Sequence, residues 1–369
     1  MNDEELRDNL SLVRIPQIGS VHIAHLIKFA GSASEIFRMS RRRLEAIPGI
    51  GAVRAKAIRA FDDHGCSEKE IIFSRRNGIQ IIIRGEEQYP SRLEHCYDAP
   101  HVLFYKGNQS LDHARVVSIV GTRSPTTYGR DRTLDLLAAL AGEDILVVSG
   151  LAYGIDTIAH KEALRLGMPT VGVLAHGLDK IYPHANRAMA SEMILHGGLL
   201  TEFWQGTQPD RQNFPKRNRI VSGLADAIVV VESGEKGGSL ITATIANSYN
   251  RDVFAFPGKT SDSQSRGCNE LIRNHQAQLI SSGTDLLNCM NWLSASTPQK
   301  IQQSQLFPNL EDDEKLVYDL LAMHESVNID EIQASCGLRS SHLASVLLSL
   351  ELKGLVEVMP GKAYALVAR

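Results

Sequence analysis

Three cations, Lys216, Arg217 and Arg219, fall within four residues, around Asn218 and behind the pair Phe214-Pro215. Cations this close repel one another unless an anion lies between them, and a phosphate accepts several fixed donors at once. Arg123 lies in a second such piece, Gly121-Thr122-Arg123-Ser124. Glycine-rich pieces recur at Gly150 and Gly154, and at Gly234-Glu235-Lys236-Gly237-Gly238-Ser239. Glycines let backbone N–H groups approach an anion, and a helix that follows offers its positive end. The chemistry these residues allow is the binding of phosphate or nucleic acid. The stretch 214–223 taken alone fits a solvated basic loop equally well. The loop after residue 120 is not a Gly-x-Gly-x-x-Gly fingerprint, and no Gly-x-x-x-x-Gly-Lys-Ser/Thr loop occurs.

The elements around these pieces place them together. From residue 115 apolar runs alternate with helical patterns, which predicts a parallel sheet with crossover helices. The expected strands are 116–120, 145–149, 170–174, 199–201, 227–232, 253–256 and 278–280. Their unbroken apolar character implies a sheet covered on both faces. In such sheets ligands sit at the carboxyl ends of the strands, which is where the glycine loops, Arg123 and the 214–223 stretch all fall. Asp156 reads as a helix N-cap and His160 as a core or helix-surface histidine. His176 and His184 follow the third of these strands, on the same rim.

The totals set the limits. The chain has 369 residues, 43% hydrophobic and 22% charged, which predicts two or three domains with a real core. A formal net charge of −3 carries no global basic excess, so a nucleic-acid site must rest on local clustering. Five scattered cysteines without a Cys-x-x-Cys argue against disulfides and zinc and for a reducing, cytoplasmic setting. No metal or cofactor is expected. The acidic start lacks an apolar core, so it does not read as a signal peptide, and no run reaches membrane-span length.

Two flanking regions have their own patterns. Ile15-Pro16-Gln17-Ile18-Gly19 recurs 32 positions later as Ile47-Pro48-Gly49-Ile50-Gly51, each followed by a helical pattern. This is a helix-hairpin-helix pattern, whose turn N–H groups can hold a DNA phosphate; a small packing or protein-contact unit is the alternative. Residues 38–59 carry seven cations against the single acid Glu45, so the second hairpin is the better candidate for contact. Residues 71–110 read as strands and loops leading into the main domain. The polar, glutamine-rich stretch 291–312 reads as a linker. Three helices and a hairpin then read as a winged helix. With ten acids against five bases from 311 to 369, a protein-contact or regulatory role fits that domain better than DNA reading.

At this point the motifs resemble the DprA, or Smf, family of DNA-processing protein A. The resemblance rests on Ser118-Ile119-Val120-Gly121-Thr122-Arg123, on 149–160, on Gly177-Leu178-Asp179-Lys180-Ile181-Tyr182-Pro183, on 214–220, on 238–243, and on Phe256-Pro257-Gly258 with 267–272. It implies an extended Rossmann-like α/β domain with a mostly parallel sheet at 115–290. A small helical (helix-hairpin-helix or SAM-like) domain at 1–66 and connecting strands at 67–114 precede it. A linker at 291–312 and a winged helix at 313–369 follow. It also implies a homodimeric single-stranded DNA-binding protein without catalysis. Such a protein protects incoming strands in natural transformation (competence) and helps load the RecA recombinase past single-strand-binding protein. Carried over by motif, Arg123, Lys216, Arg217 and Arg219 are expected to hold the DNA backbone. Gly121, Thr122, Ser124, Gly150, His184, Asn218, Gly238 and Ser239 are expected to complete the DNA-binding site, and of the nearby aromatic residues Phe214, Tyr128, Tyr153 and Tyr182, Phe214 is the expected stacking residue. His184 stands where the family often has lysine. Histidine is charged only part of the time near pH 7, so that phosphate contact is either lost or pH-dependent. Gly237-Gly238-Ser239-Leu240 replaces the usual Ser-Gly-Ser-Leu. The three cations of 216–219 are expected to split, at least one facing phosphate while an arginine beside Asn218 braces the neighbouring loops. The competing reading is a nucleotide-processing enzyme of the related phosphoribohydrolase-like group. Thr244 stands where that group has its catalytic glutamate, and Glu202 and Glu232 remain as carboxylates with nothing in the sequence to pair them.

Overall fold

The structure, a computed structural model, describes residues 1–293, 310–324, 326–359 and 362–366. It divides into two units, 1–294 and 295–369.

The apolar runs of the first unit form a nine-stranded sheet: β1 (Gln80–Ile83), β2 (Val102–Gly107), β3 (Arg115–Val120), β4 (Ile145–Ser149), β5 (Thr170–Val173), β6 (Gly197–Thr201), β7 (Ala227–Val230), β8 (Asp252–Ala255) and β9 (Gln278–Leu279). The order is β1-β2-β6-β5-β4-β3-β7-β8-β9. From β6 through β9 every neighbouring pair is parallel. Successive side chains point to opposite faces, so the central strands feed two apolar layers. Val116, Leu146, Val148 and Ile228 pack with Val221, Leu224 and Ala243 on one face. Val117, Ile119, Val147 and Val229 pack with Leu136, Leu137 and Ala159 on the other.

The chain builds the sheet outward from β3 to β6, then returns to place β7 on the other side of β3. That reversal opens a crevice at the carboxyl ends of β3 and β7, the usual ligand position in such sheets. The segment read as a lead-in supplies β1 and β2, which extend the sheet as antiparallel strands through β2 against β6.

Six helices precede β1: Asp3–Arg14, Ser20–Ala30, Ala33–Arg38, Arg41–Glu45, Gly51–Ala60 and His64–Arg76. The last crosses the expected boundary at residue 66. The Ile-Pro turns at 15–19 and 47–50 each join two of these helices around a core of Leu12, Ile15, Ile23, Leu26, Ile47 and Ile58. Glu5 caps the third helix, accepting from the N–H of Ala33 at 2.6 Å and of Ser34 at 3.0 Å. Leu10 packs against Ile83, Val102 and Phe104, and His101 Nε2 donates to Asn9 Oδ1 at 2.7 Å, which anchors the helices on the β1–β2 edge.

The second unit contains helices Asp312–Ala322, Ile329–Cys336 and Ser340–Leu352 and a three-stranded antiparallel sheet of Val327–Asn328, Val356–Met359 and Ala363–Leu366. Val317, Leu321, Ile332, Leu343, Leu347 and Leu350 form its core. Of the expected linker 291–312, residues 294–309 lie outside the described residues, as do Pro360 and Gly361 of the expected hairpin. Among the described residues no helix is long and apolar enough to cross a membrane.

Candidate nucleic-acid interface

A cleft of about 630 Å3 opens at the β3–β7 crevice. Its first wall is the loop after β3. Thr122 N–H donates to the Glu232 carbonyl at 2.8 Å, and its own carbonyl accepts from Ile155 N–H at 3.2 Å. The loop is thereby pinned between the end of β7 and the helix Ile155–Arg165. Arg123 emerges exposed from this loop, with its guanidinium carbon 5.1 Å from the Phe214 ring centroid, within cation–π range.

The stretch expected to be a basic loop is the helix Asn213–Leu224. Pro215 is tolerated because it lies in the first turn, where backbone N–H groups have no intrahelical acceptor. Arg217, Ile220, Val221 and Leu224 follow i, i+3, i+4, i+7 spacing and are all buried. Helical geometry therefore turns Arg217 inward with this stripe, while Lys216 and Arg219, three positions apart, share another face near Glu202. Arg217 points inward and Nη1 donates to the carbonyls of Gly150 and Val173, at the ends of β4 and β5. Arg219 donates to the Asp98 carbonyl and to the Glu202 carboxylate. Lys216 is exposed and, among the described residues, its side chain has neither a hydrogen bond nor an ion pair, although its charge acts on the Glu202 carboxylate. Both arginines are thus engaged with protein groups, and both brace neighbouring segments.

The loop after β4 is closed by an internal anion. Asp156 does not occupy the N-cap position, which belongs to Gly154. Its buried carboxylate turns back to accept from Gly150 N–H at 3.1 Å and Ala152 N–H at 3.3 Å. Burial pushes the Asp156 carboxyl up, while Arg217 and these N–H donors oppose the shift. Burial lowers Arg217 to about 10, which leaves it a cation at neutral pH. The two carboxylates that lacked partners in the sequence both have them. Glu202 holds Arg219, and Glu232 accepts from Thr126 N–H at 2.9 Å and from its hydroxyl at 2.5 Å.

The far wall follows β7. Gly237 caps the helix Gly238–Ser248 without a side-chain bond, and Gly237, Gly238 and Ser239 line the cleft. Ser239 Oγ donates to Ser233 Oγ at 2.9 Å, and Asn218 Nδ2 reaches the Gly238 carbonyl at 3.4 Å.

Nine of the thirteen expected site residues line this cleft: Gly121, Thr122, Arg123, Gly150, Phe214, Arg217, Asn218, Gly238 and Ser239. Ser124, Lys216, Arg219 and His184 do not. His184 is exposed at the start of a short 3-10 turn, His184–Asn186. Lys236, Ser233, Ser263 and Gln264 line the cleft without having been singled out. Lys236 was legible, since it sits inside the glycine run 234–239 and is an exposed cation with no side-chain partner among the described residues. Ser263 and Gln264 come from the loop after β8, between the Phe256-Pro257-Gly258 motif and residues 267–272, from a stretch that carries no signal of its own. Tyr182 lies with its ring centroid 6.4 Å from that of Phe214, beside a smaller recess shared with Arg123 and His176. Tyr128 donates instead to the Pro257 carbonyl.

Two histidines are buried as neutral rings, His176 on this rim and His160 away from it, beside the start of β5. His176 Nδ1 donates to the Gly177 carbonyl at 2.8 Å, and its Nε2 accepts from Tyr182 N–H at 3.2 Å, which fixes the tautomer. His160 lies fully buried with Nδ1 2.7 Å from Thr170 Oγ1, and burial lowers it to about 3. Below about pH 6.5 the unfolded chain takes up a proton at residue 160 that the folded chain refuses. This contribution to stability is therefore complete above about pH 6.5 and is lost as pH falls toward about 3. His160→Gln is expected to flatten the acid limb of the stability curve by about 1.4 kcal/mol per pH unit between these limits. Urea melts of both proteins across pH 4–7 check this, and parallel curves would refute it.

Comparison with known proteins bears on the same region. Residues 80–291 match the model of the DNA recombination-mediator protein A family, and residues 302–362 match that of the DprA winged helix domain. The Smf protein of Synechocystis is 36% identical over 382 aligned positions, covering 90% of this chain and 95% of that protein. The X-ray structure of DprA from Streptococcus pneumoniae superposes with a TM-score of 0.66 at 31% identity, covering 76% of this chain and 97% of that one. A structure of DNA processing protein A from Helicobacter pylori, described for its single-stranded DNA binding mode, has a TM-score of 0.53 at 31% identity and covers 58% of this chain and 95% of that one. With its Rossmann-like core and its winged helix each matched, the chain belongs to the DprA/Smf family of DNA-processing, recombination-mediator proteins.

Proposed function

We propose that the β3–β7 cleft holds the backbone of single-stranded DNA, and that the protein is a recombination mediator rather than an enzyme. The observation that carries this reading is the set of uncommitted groups at the cleft. Arg123 lies over the Phe214 ring, and Lys236 has no side-chain partner among the described residues. Lys216 extends the charge along the outer face of the helix Asn213–Leu224. A single strand is bound by cations that follow its phosphates and by aromatic faces on which its bases stack, and the Arg123–Phe214 pair offers both at one point. The single-stranded DNA binding of the H. pylori relative supports the same assignment. In this reading Arg217 and Arg219 act from behind, holding the strand ends and Asp98 in place.

The non-catalytic part of the reading rests on the carboxylates. Asp156 is engaged by two backbone N–H groups, and Glu235 is paired with Arg266 at 2.9 Å. Thr244 donates to the Leu240 carbonyl along its own helix. That these groups are engaged with other protein groups supports the non-catalytic reading. The wider role that goes with the family is action in the cytoplasm as a homodimer. There the protein protects single strands taken up in transformation and assists RecA in displacing single-strand-binding protein.

Arg123→Glu is expected to weaken binding of a single-stranded oligonucleotide by about 10- to 100-fold, because it removes a charge-assisted contact and adds repulsion. Lys216→Glu and Lys236→Glu each act in the same direction. Gel-shift titrations at fixed salt, with circular dichroism melts to confirm folding, measure this. Unchanged affinity in all three folded variants would sink the site. Release of free base from nucleoside monophosphates by the wild-type protein would favour the enzyme reading, and light scattering reports the dimer.

A further inference from the structure

The N-terminal helices carry positive charge that their own fold leaves uncompensated. Arg7, Arg14, Arg38 and Arg41 each pair with a carboxylate. Arg42, Arg43 and Lys56 are exposed and, among the described residues, their side chains have no hydrogen bond or ion pair. They lie on the two helices of the second hairpin, Arg41–Glu45 and Gly51–Ala60. Arg54 of the same hairpin donates to two carbonyls, Gln17 at 3.0 Å and Gly49 at 3.0 Å, one in each Ile-Pro turn. One side chain thus ties the two turns of the repeat together. The helices Ser20–Ala30 and Gly51–Ala60 therefore begin beside one another, and the repeat becomes a paired surface. His22, at the start of the first of these helices, is held below its ordinary value by burial, Arg54 and His25, with no carboxylate among the groups acting on it. Fixed cations with no internal anion call for an external one.

We infer that this face binds the phosphodiester backbone of duplex DNA, at a surface separate from the β3–β7 cleft. Two features favour a duplex over a single strand. The helix starts expose Val21 and Val53, 42% and 65% accessible, while the exposed Phe29 ring, on which an unpaired base would stack, lies at the far end of the first helix. The repeat also presents two equivalent turns side by side, which suits a ligand with two phosphate chains across a groove. Binding of this kind reads charge and shape rather than sequence. An acidic protein is the competing partner, and the test separates the two.

The experiment uses the full chain and the double variant Arg43→Glu/Lys56→Glu. Fluorescence anisotropy is followed with a blunt duplex and, separately, with a single-stranded oligonucleotide, over a range of salt. The duplex affinity is expected to fall about tenfold or more, with the log–log salt slope shallower by about 2, while single-strand affinity stays unchanged. The single-strand arm also reports on folding and on the cleft, so failure of either surface is told from failure of the other. Arg43→Gln/Lys56→Gln should shift duplex affinity in the same direction by a smaller factor. No duplex binding by the wild-type chain at low salt, unchanged duplex affinity in the variants, or an equal loss with both oligonucleotides would overturn the inference.

Discussion

Arg217→Met is expected to lower the stability of the 1–294 unit by about 3–5 kcal/mol. The residue is 4% exposed. Its Nη1 holds the carbonyls of Gly150 and Val173 across the ends of two adjacent strands. It is also the cation whose field opposes the burial of Asp156. Methionine keeps much of the stem's packing, so the loss reports the missing donors and charge. Two carbonyls and a buried carboxylate are left facing a void, and the β4 loop that lines the cleft loses its tie to β5. Arg217→Lys should recover only part of the loss, because an ammonium on a flexible stem lacks the planar fork that reaches two acceptors at once. Urea melts decide the matter. A midpoint unchanged in Arg217→Met would mean that the arginine is not a brace and would return it to the list of groups that touch DNA.

Gly154→Ala is expected to cost about 2–5 kcal/mol and to weaken single-strand binding in the fraction that folds. Gly154 adopts φ 84° and ψ −129°, a region open essentially to glycine alone. A Cβ there would lie 2.2 Å from the Thr122 carbonyl oxygen and 2.7 Å from Arg123 Cα. Backbone on both sides leaves no flexible end to move aside. The Thr122 carbonyl would be pushed off the N–H of Ile155, and Arg123 would swing away from Phe214. The measurement is a pair of melts and binding curves for wild type and variant. Native stability with native affinity would show that the β3 and β4 loops are not packed as described. Affinity lost together with stability, and partly restored at lower temperature, is the expected pattern.

Much of the scaffold was legible because its signals are local. Unbroken runs such as Val116–Val120 and Ile145–Ser149 can only be strands buried on both faces, and all seven expected strands of the parallel sheet are present within a few residues. The glycine loops after them were placed on one rim by the general rule for such sheets, and nine of the expected residues meet there. The conformation of 214–223 was misread because Phe-Pro and three cations look like loop. The stripe 217, 220, 221, 224 was present, but its first member is an arginine, and a charged residue at a core position hides a helical pattern. Lys236 was passed over for the opposite reason, as one cation in a run read for its glycines. The membership of β1 and β2 in the sheet was not legible, because antiparallel addition at an edge depends on the distant strand β6.

The amino-acid sequence by itself determined the strand order along the chain, the loops that border the cleft and the charge available to them, since these depend on composition and spacing within short windows. Only the tertiary structure decided which cation does what. Lys216, Arg217 and Arg219 are near neighbours in sequence, yet their partners, Gly150, Val173, Asp98 and Glu202, come from four other segments. On a helix, Arg217 leaves in a different direction from Lys216 and Arg219, which lie three positions apart on one face, and whether each meets a carbonyl, a carboxylate or open solvent is set by what the rest of the chain has placed there.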